Sequence, residues 1–91
     1  MMYELINKIM EKAEQAKVDI GVAYDMLTAE NGYNKDLDNA SKFLNENQAT
    51  IFKLRAKGLE DNIKELCEIA GDKDKVWKYI FDLYEKGVIE R

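Results

Sequence analysis

The sequence predicts an all-α fold. It contains no proline and only five glycines in 91 residues. Its apolar residues recur three and four positions apart, the period of a helix, and little of the pattern alternates as a strand would. Hydrophobic residues make up 46% and charged residues 35% of the chain, as in an ordinary globular domain. We therefore expect one four-helix domain over residues 1–91, subdivided into residues 1–58 and 59–91.

The first predicted helix covers residues 3–30. Its apolar positions alternate four and three apart and form a seam over three to four heptads. The seam comprises Met2, Ile6, Ile9, Ala13, Ala16, Ile20, Ala23 and Leu27. A helix of about 28 residues is roughly 42 Å long, and its seam needs a cover. Either the second helix or the same helix of another subunit provides it, so residues 1–58 are interpreted as a helical hairpin or a dimerisation stalk, and we expect a homodimer. Gly32 is expected to end this helix, with Tyr33 folded back on the last turn.

The second predicted helix begins near Asp36 and ends at Gly58. Its apolar residues are interrupted by Asn45, Asn47 and Gln48. Two interpretations remain open at this point. The helix is weak or broken near residue 46, because Asn is a poor helix former, or a buried polar pair fixes the register of packing.

Two shorter helices complete the prediction. The third is capped by Asp61 and stopped by Gly71, and the fourth spans residues 73–86 and ends at Gly87. Asp72 or Asp74 is expected to cap the fourth helix, because a side-chain oxygen there can accept from the first free backbone amides.

Composition excludes several classes of function. A net charge of −4 argues against a generic polyanion binder. With one cysteine and no histidine, the chain can form neither an internal disulfide nor an ordinary zinc site, and it has no nucleophile–base pair. We therefore expect a non-enzymatic protein without cofactor, in which Cys67 is a small buried residue. The absence of a signal-peptide core and of any run of membrane-spanning length predicts a cytoplasmic location.

The stretch from Ile51, IFKLRAKGLEDNIKELCEIAGDKDKVWKYIFDLYEKGVIER, contains a recognisable order of features. Glu65-Leu66-Cys67 is followed by a glycine turn at Gly71, a helix, and then Gly87-Val88-Ile89. The helix carries apolar packing positions at Val76, Tyr79, Ile80 and Leu83. This region resembles the winged helix-turn-helix core of MarR- and PadR-type regulators, with a slightly shorter turn and with the sequence ending at Arg91, where the wing would begin. The resemblance implies a helix-turn-helix-like subdomain over residues 59–91 that lacks a full wing.

The resemblance further implies a small homodimeric DNA-binding regulator. Lys73, Lys75 and Lys78 would contact the groove and phosphates, and Lys53, Arg55 and Lys57 would add contacts to the DNA backbone. A simple solvated face is the alternative for the first three lysines, because acidic residues are interleaved with them.

The stripe formed by Trp77, Phe81 and Tyr84 supports a different function. It is interpreted as core or dimer interface, as an exposed protein-binding hot spot, or as a base-stacking surface. The second interpretation, together with the acidic net charge, predicts an adaptor or inhibitor of the kind encoded by phages and mobile elements. Such a protein would bind a partner, for example a basic nucleic-acid-handling protein, in place of DNA.

Overall fold

The computed structural model describes residues 2–91, which form six helices and no strand. The helices are α1 (Met2–Ala16), α2 (Ile20–Asn31), α3 (Lys35–Glu46), α4 (Gln48–Ala56), α5 (Glu60–Glu68) and α6 (Lys73–Glu85). The predicted all-α fold is confirmed. The helices number six because each of the first two predicted helices is broken into two.

The break in the first predicted helix lies at residues 17–19. Lys17 adopts a left-handed conformation with φ of 57°. The amide of Val18 then donates to the carbonyl of Ala13 at 3.0 Å, the six-to-one hydrogen bond of a Schellman C-cap. Asp19 follows at once as the N-cap of α2, where its side chain accepts from the amide of Val22 at 2.9 Å. The prediction of one helix over residues 3–30 is therefore wrong, because a complete pair of caps interrupts it.

Internal contacts divide the chain into two units, with the boundary between Glu46 and Asn47. The first unit contains α1, α2 and α3, and the second contains α4, α5 and α6. Within the second unit, α4 packs against α5. The second unit thus includes α4, whereas the predicted division after Gly58 groups those residues with the first helix.

The first unit is built around α1, which packs on both α2 and α3. Its core consists of buried apolar side chains from all three helices: Ile6, Ile9, Met10, Ile20, Ala23, Leu27, Leu37, Ala40, Phe43 and Leu44. Two polar contacts at the rim join the helices, a Lys12–Glu30 ion pair at 2.8 Å and a hydrogen bond from the Tyr24 hydroxyl to Asp38 at 3.1 Å. Tyr33 does not fold back as predicted, because it is 72% exposed.

The second predicted helix is also broken, which confirms the first of its two interpretations. Helix α3 ends at Glu46 and α4 begins at Gln48, with Asn47 in a turn between them. The alternative of a buried polar pair is wrong, because Asn45 and Gln48 are exposed. Helix α3 is capped by Asn34, two residues before the predicted start near Asp36, since the Asn34 side chain accepts from the amides of Asp36 and Leu37.

The second unit has its own core, which contains Ile51, Leu54, Ile63, Leu66, Cys67, Val76, Leu83 and Ile89. Cys67 is buried as predicted, and burial raises the pKa of its thiol to about 11. Helix α5 begins at Glu60 after Leu59, so the prediction that Asp61 caps it is wrong. Within residues 2–91, no helix has both the length and the apolar character needed to cross a membrane.

The left-handed residue between α1 and α2 can be tested directly. A residue with a side chain is destabilised by about 1–2 kcal/mol in this conformation. Glycine avoids that cost but loses about 0.5–1 kcal/mol of backbone entropy on folding, so only part of the difference is gained. We expect Lys17→Gly to raise the free energy of unfolding by up to about 1 kcal/mol in urea titration. The matched control Glu11→Gly, at an exposed site inside α1, should lower it by about 1 kcal/mol. Equal destabilisation by both changes would contradict the helix break.

Candidate interaction surface

Helix α6 is defined at both ends by side-chain and backbone caps. The Asp72 side chain accepts from the amide of Lys75 at 3.2 Å, which confirms one of the two predicted N-caps. At the other end Gly87 has φ of 72°, a conformation that glycine adopts without strain. The amides of Gly87 and Val88 donate to the carbonyls of Tyr84 and Leu83, which completes a Schellman motif. The helix therefore has a fixed start and a fixed end.

The inner face of α6 is fixed by two buried residues and by one tyrosine. Val76 and Leu83, seven positions apart, are buried in the second unit. The Tyr79 hydroxyl donates to the Glu65 carboxylate at 2.7 Å and accepts from the Asn62 amide at 3.1 Å. Burial, and then the hydrogen bond to Glu65, raises the pKa of Tyr79 to about 12. These hydrogen bonds hold α6 against α5 in one orientation about its own helix axis.

A second tyrosine holds the carboxyl-terminal half of α6 against α4. The Lys53 ammonium donates to the Tyr84 hydroxyl at 3.3 Å and lies 5.0 Å from the centre of its ring. The pKa of Tyr84 is lowered, chiefly because the Thr50 side chain hydrogen-bonds to its oxygen and also because of Lys53. Tyr84 is therefore half-buried and is not part of an exposed stripe with Trp77 and Phe81.

The outer face of α6 carries two large aromatic side chains in solvent. Trp77 is 65% exposed and Phe81 is 41% exposed. Their rings stack on each other, with centroids 5.3 Å apart and planes inclined by 12°. Of the three interpretations of the stripe, an internal core position is wrong for these two rings. The two rings are in contact on the helix surface, and together they form an exposed apolar patch.

Charged residues surround the aromatic pair. The three lysines predicted to contact DNA, Lys73, Lys75 and Lys78, are all exposed on the amino-terminal half of α6. Three acidic residues are exposed on the same helix: Asp74, Asp82 and Glu85. The lysines are thus available to an external ligand, in a setting of mixed charge.

Two of the residues predicted to contact the DNA backbone, Lys53 on α4 and Lys57 just after it, donate hydrogen bonds within the second unit, and their contact with DNA stays a prediction. Lys53 donates to the carbonyl oxygen of Glu90 at 2.7 Å, and Lys57 donates to that of Val88 at 2.9 Å. Between these two carbonyls Ile89 is buried, with 1% of its surface exposed. Both ammonium groups therefore satisfy backbone acceptors of residues 88–90 and hold that segment on the second unit. Arg55, the third of these predicted residues, lies on α4 and is half-buried.

The predicted dimer seam lies inside the first unit. Its members Ile6, Ile9, Ile20, Ala23 and Leu27 are at most 6% exposed, because α1 packs on α2 and α3. Ala13 and Ala16 are half-buried near the end of α1. A partner subunit could reach most of this seam only if the helices of the first unit separated. Dimerisation through it stays a prediction.

Sequence reasoning missed the tyrosine anchors and the lysine contacts of the second unit. Periodicity marks Tyr79 and Tyr84 as apolar positions and carries no information about the partners of their hydroxyl groups. The bonds join residues 14 and 31 positions apart. Among residues 2–91, no three acidic or cysteine side chains are grouped as metal ligands.

The Tyr79 anchor predicts how stability depends on pH. The pKa of Tyr79 is raised to about 12 in the folded state. The contribution of its hydroxyl group to the free energy of unfolding is therefore complete below pH 10, the ordinary pKa of tyrosine, and is lost as the pH rises through about 12. Tyr79→Phe should lower the free energy of unfolding by about 1 kcal/mol near neutral pH and should flatten its decline above about pH 10. Tyr33→Phe, at an exposed hydroxyl, is the matched control for urea titrations at each pH. An unchanged decline in Tyr79→Phe would contradict the anchor.

Comparisons with known proteins do not identify a relative. No protein-family model matches the chain, and no curated protein or solved structure matches it.

Proposed function

We propose that this protein is a non-enzymatic protein-interaction module, an adaptor or inhibitor that binds its partner through the exposed face of α6. The observation that carries the proposal is the stacked pair of Trp77 and Phe81, which is exposed although both rings are large and apolar. Aromatic residues dominate the binding energy of protein interfaces, because covering them removes much apolar surface from water at a low cost in side-chain entropy.

The rigidity of α6 supports this function. An interface residue binds more tightly when its orientation is set before the partner arrives, because less entropy is lost on association. Both helix ends are capped, Tyr79 and Tyr84 hold the inner face, and the two outer rings support each other. The surface is thus preorganised.

The distribution of charge also favours a protein partner over DNA. The net charge is −4, and Lys53 and Lys57 are engaged with backbone carbonyls of the chain itself. Neutralising DNA phosphates takes available cations, and a reader of DNA usually has a surplus of them on the binding face. Lys53 on α4 and Lys57 just after it could contact a phosphate only with the donors that these carbonyls leave unused.

A DNA-binding regulator is the second candidate. The observation that favours it is the exposure of Lys73, Lys75 and Lys78 on the amino-terminal half of α6, where a recognition helix contacts its site. This agrees with the resemblance of residues 51–91 to MarR- and PadR-type regulators. In that function the same aromatic pair would face the DNA or a second subunit.

A photo-crosslinking amino acid at position 81 tests the protein-interaction function. After irradiation in an extract of the cells that make the protein, we expect a covalent adduct with a protein at position 81. The matched control places the same crosslinker at Ala29, an exposed position on α2 in the first unit. Trp77→Ala in the same chain should abolish the adduct while circular dichroism shows an unchanged helix content. Failure to form a protein adduct specific to position 81 would contradict the proposal.

Gel-shift titrations against genomic DNA fragments at two salt concentrations test the second candidate. If α6 reads DNA, Lys75→Ala with Lys78→Ala should weaken binding and reduce the slope of log affinity against log salt by roughly 1.8, as expected for two lost phosphate contacts. Equal DNA affinity in the parent and the double variant, or no binding of the parent at low salt, would exclude DNA reading by these lysines.

A further inference from the structure

Four exposed residues form a single row along α6. Lys73, Trp77, Phe81 and Glu85 are spaced four apart, so they lie on one i±4n ridge of the helix surface. The ridge extends over about 18 Å, at about 1.5 Å for each of its residue steps. Its order is cation, ring, ring, anion. Among the described residues neither Lys73 nor Glu85 has an ion-pair partner.

The order of cation, ring, ring and anion along the ridge is complementary to the same order read in the opposite direction. A two-fold axis through the midpoint between Trp77 and Phe81 brings Lys73 of one chain opposite Glu85 of another and Trp77 opposite Phe81, each pair occurring twice. A surface with this property fits the isologous interface of a symmetric dimer. We propose that the partner of this ridge is a second copy of this chain, docked antiparallel through α6. The inference rests on the proposed function, in that it identifies the protein that the α6 surface binds.

The complementarity selects one register. If the two-fold axis moved toward Trp77 by two residues, Glu85 would lose its partner. If it moved toward Phe81 by the same amount, Glu85 would face Trp77 of the other chain, which leaves a carboxylate against an apolar ring. Only the central register matches all four residues of the ridge. Paired i±4n ridges are also the commonest mode of helix packing in globular proteins, with axes about 8–10 Å apart.

The proposed dimer covers the surface that the single chain leaves open. In it the two stacked pairs join into a cluster of four rings with an ion pair at each end. The dimer interface would thus lie on α6 and not on the predicted seam of α1 and α2, whose apolar side chains are mostly buried within the first unit.

Charge exchange across the ridge provides the test. Size-exclusion chromatography with light scattering should return about twice the 10.6 kDa chain mass for the parent at about 100 µM. Lys73→Glu alone and Glu85→Lys alone each turn both end pairs into like-charge pairs, so each should weaken dimerisation by about tenfold or more. Both changes also place charges that favour the helix dipole, an anion near its start and a cation near its end, so a loss of dimer would not reflect a weaker helix.

Mixing the two single variants is the decisive step. Their heterodimer contains two opposite-charge pairs, so the mixture should dimerise about as well as the parent, as should the chain that carries both changes. A monomeric parent, single variants that dimerise like the parent, or a mixture that stays monomeric would each overturn the inference. The proposed function would survive such a result if the crosslinker at position 81 still captured a different protein, since that adduct differs in mass from a dimer of this chain.

Discussion

The rotational setting of α6 is the constraint on which the candidate function depends. A helix of this length can bury only one face against a small core, and Val76 and Leu83 occupy that face. Tyr79 and Tyr84 then hold the helix on either side, through Glu65 and Asn62 on α5 and through Lys53 on α4. With these contacts made, the helical period leaves the two remaining rings outside. Trp77 and Phe81 are exposed because the inner positions are already filled.

Contacts within the second unit also determine the positions of two of its basic residues. Lys53 and Lys57 donate hydrogen bonds to main-chain carbonyls, which restrains the positions of their ammonium groups. Those bonds flank the buried side chain of Ile89 and compensate the backbone acceptors around it. On α6 the exposed positive charge is on the amino-terminal half, next to the rings and opposite in sign to Glu85. An aromatic surface with opposite charges at its two ends is better suited to a protein partner than to a polyanion.

The all-α class and several helix ends could be predicted from the sequence. The environments and partners of individual side chains could not, because they depend on contacts between helices. Gly87 and Asp72 carry local signals, because a left-handed turn and an N-cap each restrict the residue that can occupy them. The break at Lys17 has only one such signal, the N-cap residue Asp19, because a lysine and not a glycine occupies the left-handed position and the heptad spacing continues across the break from Ala16 to Ile20. The role of the aromatic stripe was also undecided by spacing, because periodicity places residues on a common side without revealing whether another element covers it. Tyr84 differs from Trp77 and Phe81 only through its contacts in the folded structure, which the spacing does not reveal.

The exposure of Trp77 can be measured directly by fluorescence, because it is the only tryptophan in the sequence. In dilute solution, where the chain is unassociated, we expect emission close to that of free tryptophan and strong quenching by acrylamide. As the concentration rises, emission should move to shorter wavelength and quenching should weaken, because the ring becomes covered by its partner. A blue-shifted and protected indole at the lowest concentration would contradict the exposed position of Trp77 on α6, since the ring would then be buried within the single chain.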